Sequence, residues 1–254
     1  MDRKRVFVNI LAPIFGCLLF IAIWYALAAI VDMSLILPSP TDTVREFVLL
    51  LGDSTFYSAV GRTLLRSLLA FLIGFALATV FAVLSACFPI FKKVFAPFSV
   101  ILRVLPTISV ILLVLVWFRS RVAPFVVTFL VIFPMLYTTV LNAIEGVDPR
   151  LKEMTDAYRF SMGKKILHLY IPQMTPAILT GVSITLSFTV KLTIAAEVLS
   201  YGNNSIGFFM QRASVYLETA TLLAWTLAAI LLGFLLEGVV LLIKKLLVRH
   251  YYGK

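Results

Sequence analysis

Charge is scarce in this 254-residue chain: Asp, Glu, Lys and Arg together make up 13% of it, about half the ~25% of an ordinary soluble domain. That leaves no room for a large water-facing domain. Cysteine is nearly absent too. Cys17 and Cys87 fall in or at the end of apolar runs, with no metal-ligand spacing and no pairing signal, so they carry no information about redox compartment. A phosphate loop is missing: "GKK" at 163–165 has neither the first glycine nor the hydroxyl residue of G-x-x-x-x-G-K-[ST], so the chain does not bind and split nucleotide by that device. The two histidines, His168 and His250, stand alone, which removes zinc-type sites. Nor does any Ser-His-Asp arrangement or paired-carboxylate constellation fall in one plausible site.

What is abundant is hydrocarbon. Hydrophobic residues are 61% of the chain, mean hydropathy is +1.05, and several apolar runs reach the ~20 residues a helix needs to cross ~30 Å of lipid. The class is therefore an all-α polytopic membrane protein. Six spans are predicted, at about 7–31, 62–88, 96–118, 123–144, 176–199 and 219–243. "LPSP" at 37–40, "PIFKK" at 89–93, "RSR" at 119–121 and "YGNNSIG" at 201–207 separate them. The basic start "MDRKR" is signal-like, but the apolar run behind it is too long for a signal peptide and lacks a small-residue cleavage site. It is read as a retained first span. After "LPSP", the stretch "TDTVREFVLLLGDS" is expected to form a short outer helix capped by Thr41, with Val44, Phe47 and Val48 on one face.

The net charge of +10 does not point to nucleic acid, because the aromatic–basic alternation of single-strand binders is missing. It points to orientation, since Lys and Arg collect on the cytoplasmic side of membrane spans. With the N-terminus inside, the inner segments hold 14 of them, Arg3, Lys4 and Arg5 among them, and the outer segments hold Arg45, Arg62, Arg119, Arg121 and Arg212. Both termini are thus expected in the cytoplasm, as is the segment between spans four and five.

That segment, "VDPRLKEMTDAYRFSMGKKILHLYIP" at 147–172, is the most polar part of the chain. Asp148 followed by Pro149 is a helix start: the carboxylate caps free amides and proline suits the first helical position. Leu151, Met154 and Tyr158 then share an apolar edge, with Arg150, Lys152, Glu153 and Asp156 around the rest. Ser161 is positioned to cap a second short helix carrying Ile166, Leu169 and Tyr170, and Pro172 and Pro176 mark the entry to span five. Three apolar residues in two turns make a narrow strip for a membrane surface and suit the groove of a partner protein.

The segment resembles the cytoplasmic "EAA" loop of ABC-transporter permeases of the binding-protein-dependent import type. That pattern reads E-A-A, three residues, G, nine residues, I-x-L-P. Here Glu153-Met154-Thr155 occupies E-A-A, Arg159 the glycine position, and Leu169-Tyr170-Ile171-Pro172 the last element. Spacing, acidic residue and proline agree; Met154, Thr155 and Arg159 depart. "LRVLPTISVILLVLVWF" at 102–118, "NAIEGVDPRLKE" at 142–153 and "KLTIAAEVLS" at 191–200 are similar to further family segments, in the right order. The last resembles the nitrate, sulfonate and taurine group. Arg119 follows "WF" where the family has glycine.

The resemblance implies a single permease domain over 1–254, with 147–172 as its coupling loop, in the bacterial cytoplasmic membrane. It implies cytoplasmic ABC ATPase subunits, an extracytoplasmic substrate-binding protein and a second permease copy, as a homodimer, with no cofactor in this chain. Leu151, Met154 and Tyr158 would seat the loop in the ATPase; Lys152, Glu153 and Arg159, with Thr155 beside them, would fix its register. The cargo would be a small polar or anionic solute: a sulfonate, nitrate, taurine or a vitamin precursor.

Ionisable residues inside spans are candidate sites. Lys191 lies about eight residues from the outer end of span five, ~12 Å along the axis, so it either lines a pathway or snorkels outward. Glu197, near that end, is a candidate for the pathway or simply faces water. The two are six residues apart, ~240° around a helix, and do not share a face. Arg103, before Pro106, and Glu237, near the inner end of span six, are read as paired, packed or snorkelling residues. The competing reading of the whole chain is a self-contained secondary transporter or channel, which would show repeated halves and midplane carboxylates. A membrane-embedded enzyme would need a cluster of His, Asp or Glu.

Overall fold

The computed structural model describes residues 3–201 and 204–252. Every regular element among them is helical. In chain order these are α1 (Arg3–Val31), α2 (Pro40–Leu51), α3 (Ser54–Cys87), α4 (Pro89–Val104), α5 (Thr107–Trp117) and α6 (Ala123–Glu145). There follow α7 (Pro149–Ala157), α8 (Met162–Lys165), a π-helical turn (Ile166–Tyr170), α9 (Ile171–Ser200), α10 (Ile206–Val215) and α11 (Thr219–Tyr252). Five helical stretches are long and apolar enough to cross a membrane, and α4 with α5 passes the same test only as a bent pair, a broken span or a re-entrant loop.

The third span is the main correction to the sequence reading. It is not one helix over 96–118 but two, meeting at 98°. Pro106 has no amide to donate and drives the preceding residue out of the helical region. Leu105 accordingly sits at φ −56, ψ 129. Hydropathy could not show this, since both halves are apolar.

Helices α3, α6 and α9 pack side by side, and α11 closes against α9. The core between them includes Phe71, Val127, Ile132, Leu136, Val140, Val190 and Leu232. Small side chains let the helices approach. A Cβ added at Gly181 on α9 would stand 2.2 Å from Thr139 Cγ2 on α6. Several buried threonine hydroxyls find acceptors locally, as the absence of water favours, while those of Ser67 and Ser99 have no partner among the described residues. Thr189 and Thr193 donate to the carbonyls of Thr185 and Thr189, and Thr193 meets Thr128 across the helix pair at 3.1 Å.

The short helix expected after "LPSP" forms, with different details. Ser39, not Thr41, is its N-cap: the hydroxyl accepts from Asp42 N, and Asp42 accepts in return from Ser39 N. The buried side is Pro40 and Thr43, with Phe47 and Leu50 against the core. Val44 and Val48 point outward, because Thr43 rather than Val44 is aligned with Phe47 and Leu50. Asp53 caps α3 and accepts from Thr55 N and Oγ1, which holds its carboxyl below the usual carboxylate range.

Candidate functional site

The polar segment folds as the Asp148-Pro149 start predicts. The Asp148 carboxylate accepts from Arg150 N at 2.9 Å, and α7 runs from Pro149 to Ala157. Its end explains the odd residue in the loop. Arg159 N donates to Asp156 O at 2.9 Å and Phe160 N to Thr155 O at 2.9 Å, the paired bonds of a Schellman closure. That closure needs a left-handed residue after the cap. Arg159 supplies it with φ 53, a conformation costing a side-chain-bearing residue about 1–2 kcal/mol. The position that reads glycine in the loop pattern therefore has a backbone reason for glycine.

The second half differs from the sequence reading. Ser161 stands in the N-cap place, but its side chain makes no capping bond. The chain then runs helically from Met162 to Ser200 through the π turn. Pro172 stands directly after the π turn and Pro176 further inside the same continuous run. So there is no separate short helix but a lever continuous with a membrane span.

Three contacts tie α7 to that lever. Asp148 N donates to Gln173 Oε1 at 3.1 Å. Lys165 is ion-paired with Asp156. The Lys152 ammonium stands 5.8 Å from the centroid of the Tyr170 ring. Between α7 and the lever lies a hollow of about 510 Å³, lined by Leu151, Met154, Thr155, Phe160, His168 and Leu169, among others. Thr155 is buried, Leu151 and Lys152 are half-buried, and Glu153, Met154, Tyr158 and Arg159 are exposed. Tyr158, at 74% exposure, is the most prominent apolar group of α7. The sequence pattern named Asp156 and Tyr170 without their partners and passed over Lys165, Gln173 and Phe160; the pairings are made only by the turn between α7 and α8.

The two charged candidates of span five separate. Glu197 does not face water. It is fully buried and accepts from Thr63 Oγ1 at 2.8 Å, Arg66 Nη1 at 2.8 Å and Gly207 N at 3.3 Å. Ile206 N donates to the same Thr63 oxygen at 3.1 Å. One carboxylate thus joins α3, α9 and the start of α10. Arg66 was the overlooked partner. A lone cation in the apolar run "TLLRSLLAF" was the available signal.

Lys191 lies on a different side of α9, in an exposed stripe with Ile184, Phe188, Ala195 and Leu199, while Thr180 nearer the start of the helix accepts from Lys244 of α11 at 3.4 Å. Arg103 is exposed in the last turn of α4, beside the break, and Glu237 is exposed on α11. His168 is exposed at the rim of the α7 hollow. The side chain of His250 and residues 202–203 lie outside the described residues.

A family model described as binding-protein-dependent transport system inner membrane component matches residues 78–250. Among similar curated proteins is a permease protein of Bacillus subtilis named for aliphatic sulfonates transport, 24% identical over 90% of this chain and 83% of its own length. Its namesake in Escherichia coli is 27% identical over 94% of this chain and 91% of its own. A bicarbonate transport system permease protein of Synechocystis is 26% identical over 94% of this chain and 89% of its own. Among solved structures, a bacterial ABC transporter importing the acidic polysaccharide alginate aligns with a TM-score of 0.63 at 17% identity, covering 98% of this chain and 99% of that one. The MetNI methionine ABC transporter, in an inward-facing conformation, aligns at 0.60 with 17% identity, over 76% of this chain and 94% of that one. These structures share the fold.

Proposed function

The chain belongs to the family of binding-protein-dependent transport system inner membrane components, and from that premise we propose that it is the permease subunit of an ATP-driven importer of a small anionic solute. It is a multi-pass inner-membrane transport subunit, and its ATP would be split in a separate cytoplasmic chain. The observation carrying the reading is α7, a capped, exposed helix braced onto a lever that continues into span five. Such an element transmits a push. Leu151, Met154 and Tyr158 offer the apolar edge a groove would seat. Lys152, Glu153 and Arg159 offer charges that would set its register, and Thr155 is the small residue that lets α7 lie close to the lever. This requires 147–172, and with it both termini, to be cytoplasmic, in keeping with the Lys and Arg bias.

The open stripe of α9 supports a second copy. An ammonium at that depth is costly against lipid, so Lys191 would face a pathway between two copies, as a homodimer. Anionic cargo follows from Lys191 together with the sulfonate and bicarbonate relatives; an extracytoplasmic binding protein would deliver it. Glu197 is withdrawn from the pathway, since its oxygens are held by Thr63, Arg66 and Gly207.

The test is reconstitution of the chain with its cytoplasmic ATPase and binding protein. Hydrolysis stimulated by the loaded binding protein supports the reading. Solute movement in liposomes by this chain alone would overturn it in favour of a secondary transporter.

A further inference from the structure

Helix α1 crosses the membrane almost without company. None of its most apolar window is buried in the protein, and its outer end is held by Trp24 Nε1, which donates to Pro38 O at 3.1 Å. Standing off in this way, it leaves an apolar groove of about 750 Å³ against α2 and α11, lined by Phe20, Trp24, Leu27, Val44, Leu227 and Ile230, among others. That is the size of a small-molecule site, about 300–1,000 Å³. Water does not fill so apolar a space within a bilayer, and hydrocarbon does.

The groove is not apolar to its end. It shares Tyr25 and Leu37 with a second hollow of about 360 Å³, lined by Asp32, Ser34, Ser39 and Asp42. Both charged side chains lining that hollow are acidic. Asp32 also closes α1 in a left-handed conformation, φ 45, where the helix carbonyls add negative potential. Asp42 accepts from Ser39 N and Oγ. On the far side of Asp42 a further hollow brings Arg45, Glu46 and Glu218, so the mouth remains acidic on balance.

We propose that the groove between α1, α2 and α11 is a site for a phospholipid with a primary ammonium headgroup, its acyl chain in the groove and its ammonium between Asp32 and Asp42. A primary ammonium donates three hydrogen bonds to carboxylates. A trimethylammonium headgroup donates none, and an anionic headgroup is repelled. The site lies in the leaflet opposite the N-terminus and does not depend on the transport reading.

The test uses the full chain in nanodiscs containing equal phosphatidylethanolamine, phosphatidylcholine and phosphatidylglycerol with matched tails. Lipid retained after mild extraction is counted by native mass spectrometry. Phosphatidylethanolamine is expected to exceed each of the others about fivefold, the equivalent of an ion pair at a water-accessible mouth. Asp32→Asn should bring the three near parity, and asparagine tolerates the left-handed backbone, so the fold is kept. Leu227→Trp, which fills the groove, should lower retention of all three. Equal retention by the wild type would overturn the proposal, as would a preference that survives both variants. A disulfide between two copies through Thr41→Cys, in a Cys17→Ser/Cys87→Ser background, would assign the groove to a second copy instead.

Discussion

The Arg66 guanidinium lies 2.8 Å from a Glu197 carboxylate that has no solvent exposure, joining α3 to α9 across 131 positions of sequence. Removing one member strands the other. Arg66→Met should destabilise the protein by about 3 kcal/mol, read as a fall in unfolding temperature in detergent. The double variant Arg66→Met/Glu197→Leu should recover much of that loss, because no buried charge is left alone. A single variant as stable as the wild type would show that the pair is not held as described.

Gly207 tests the same junction by shape. A Cβ there would stand 2.4 Å from Glu197 Cβ, 2.6 Å from Ile194 O and 2.7 Å from Val198 N. Two of these are backbone atoms of α9, so α10 must move. Gly207→Ala should cost roughly 1–3 kcal/mol, with faster amide exchange in 206–215 than in α7.

Arg159→Gly should stabilise α7. Relief of left-handed strain is worth about 1–2 kcal/mol, and glycine's greater freedom in the unfolded chain returns about 0.5–1 kcal/mol. The net gain of about 0–1.5 kcal/mol is small against whole-protein unfolding. Slower hydrogen exchange at Arg159 N and Phe160 N is the sensitive readout. Arg159→Val should speed it.

Glu153→Lys reverses an exposed charge on α7. Insertion and thermal stability should be unchanged within about 0.5 kcal/mol, while stimulation of ATP hydrolysis by the loaded binding protein is lost. Loss of insertion would count against a role confined to an interface.

Lys191→Met removes the cation from the open stripe of α9. Stimulated hydrolysis should persist, and import of an anionic solute should fall about tenfold or more, as for a lost charge-assisted contact. Unchanged import would make Lys191 a snorkelling residue.

Composition and the length of the apolar runs decided by themselves that this chain is a helical membrane protein, and the break in hydropathy at 147–172 marked its polar segment. Those are one-dimensional properties: span length is set by lipid thickness, and a helix start such as Asp148-Pro149 is closed by its own neighbours. The spacing from Glu153 to Pro172 was likewise legible, because it counts residues along one local unit. Tertiary structure alone decided the rest. The break at Pro106 has apolar residues on both sides, so hydropathy passes over it. Glu197 looked like a solvent-facing or pathway acid until Thr63, Arg66 and Gly207 closed around it. A side chain's partner across 131 residues is a matter of which helices pack together, and that depends on the whole core rather than on the residues around either one.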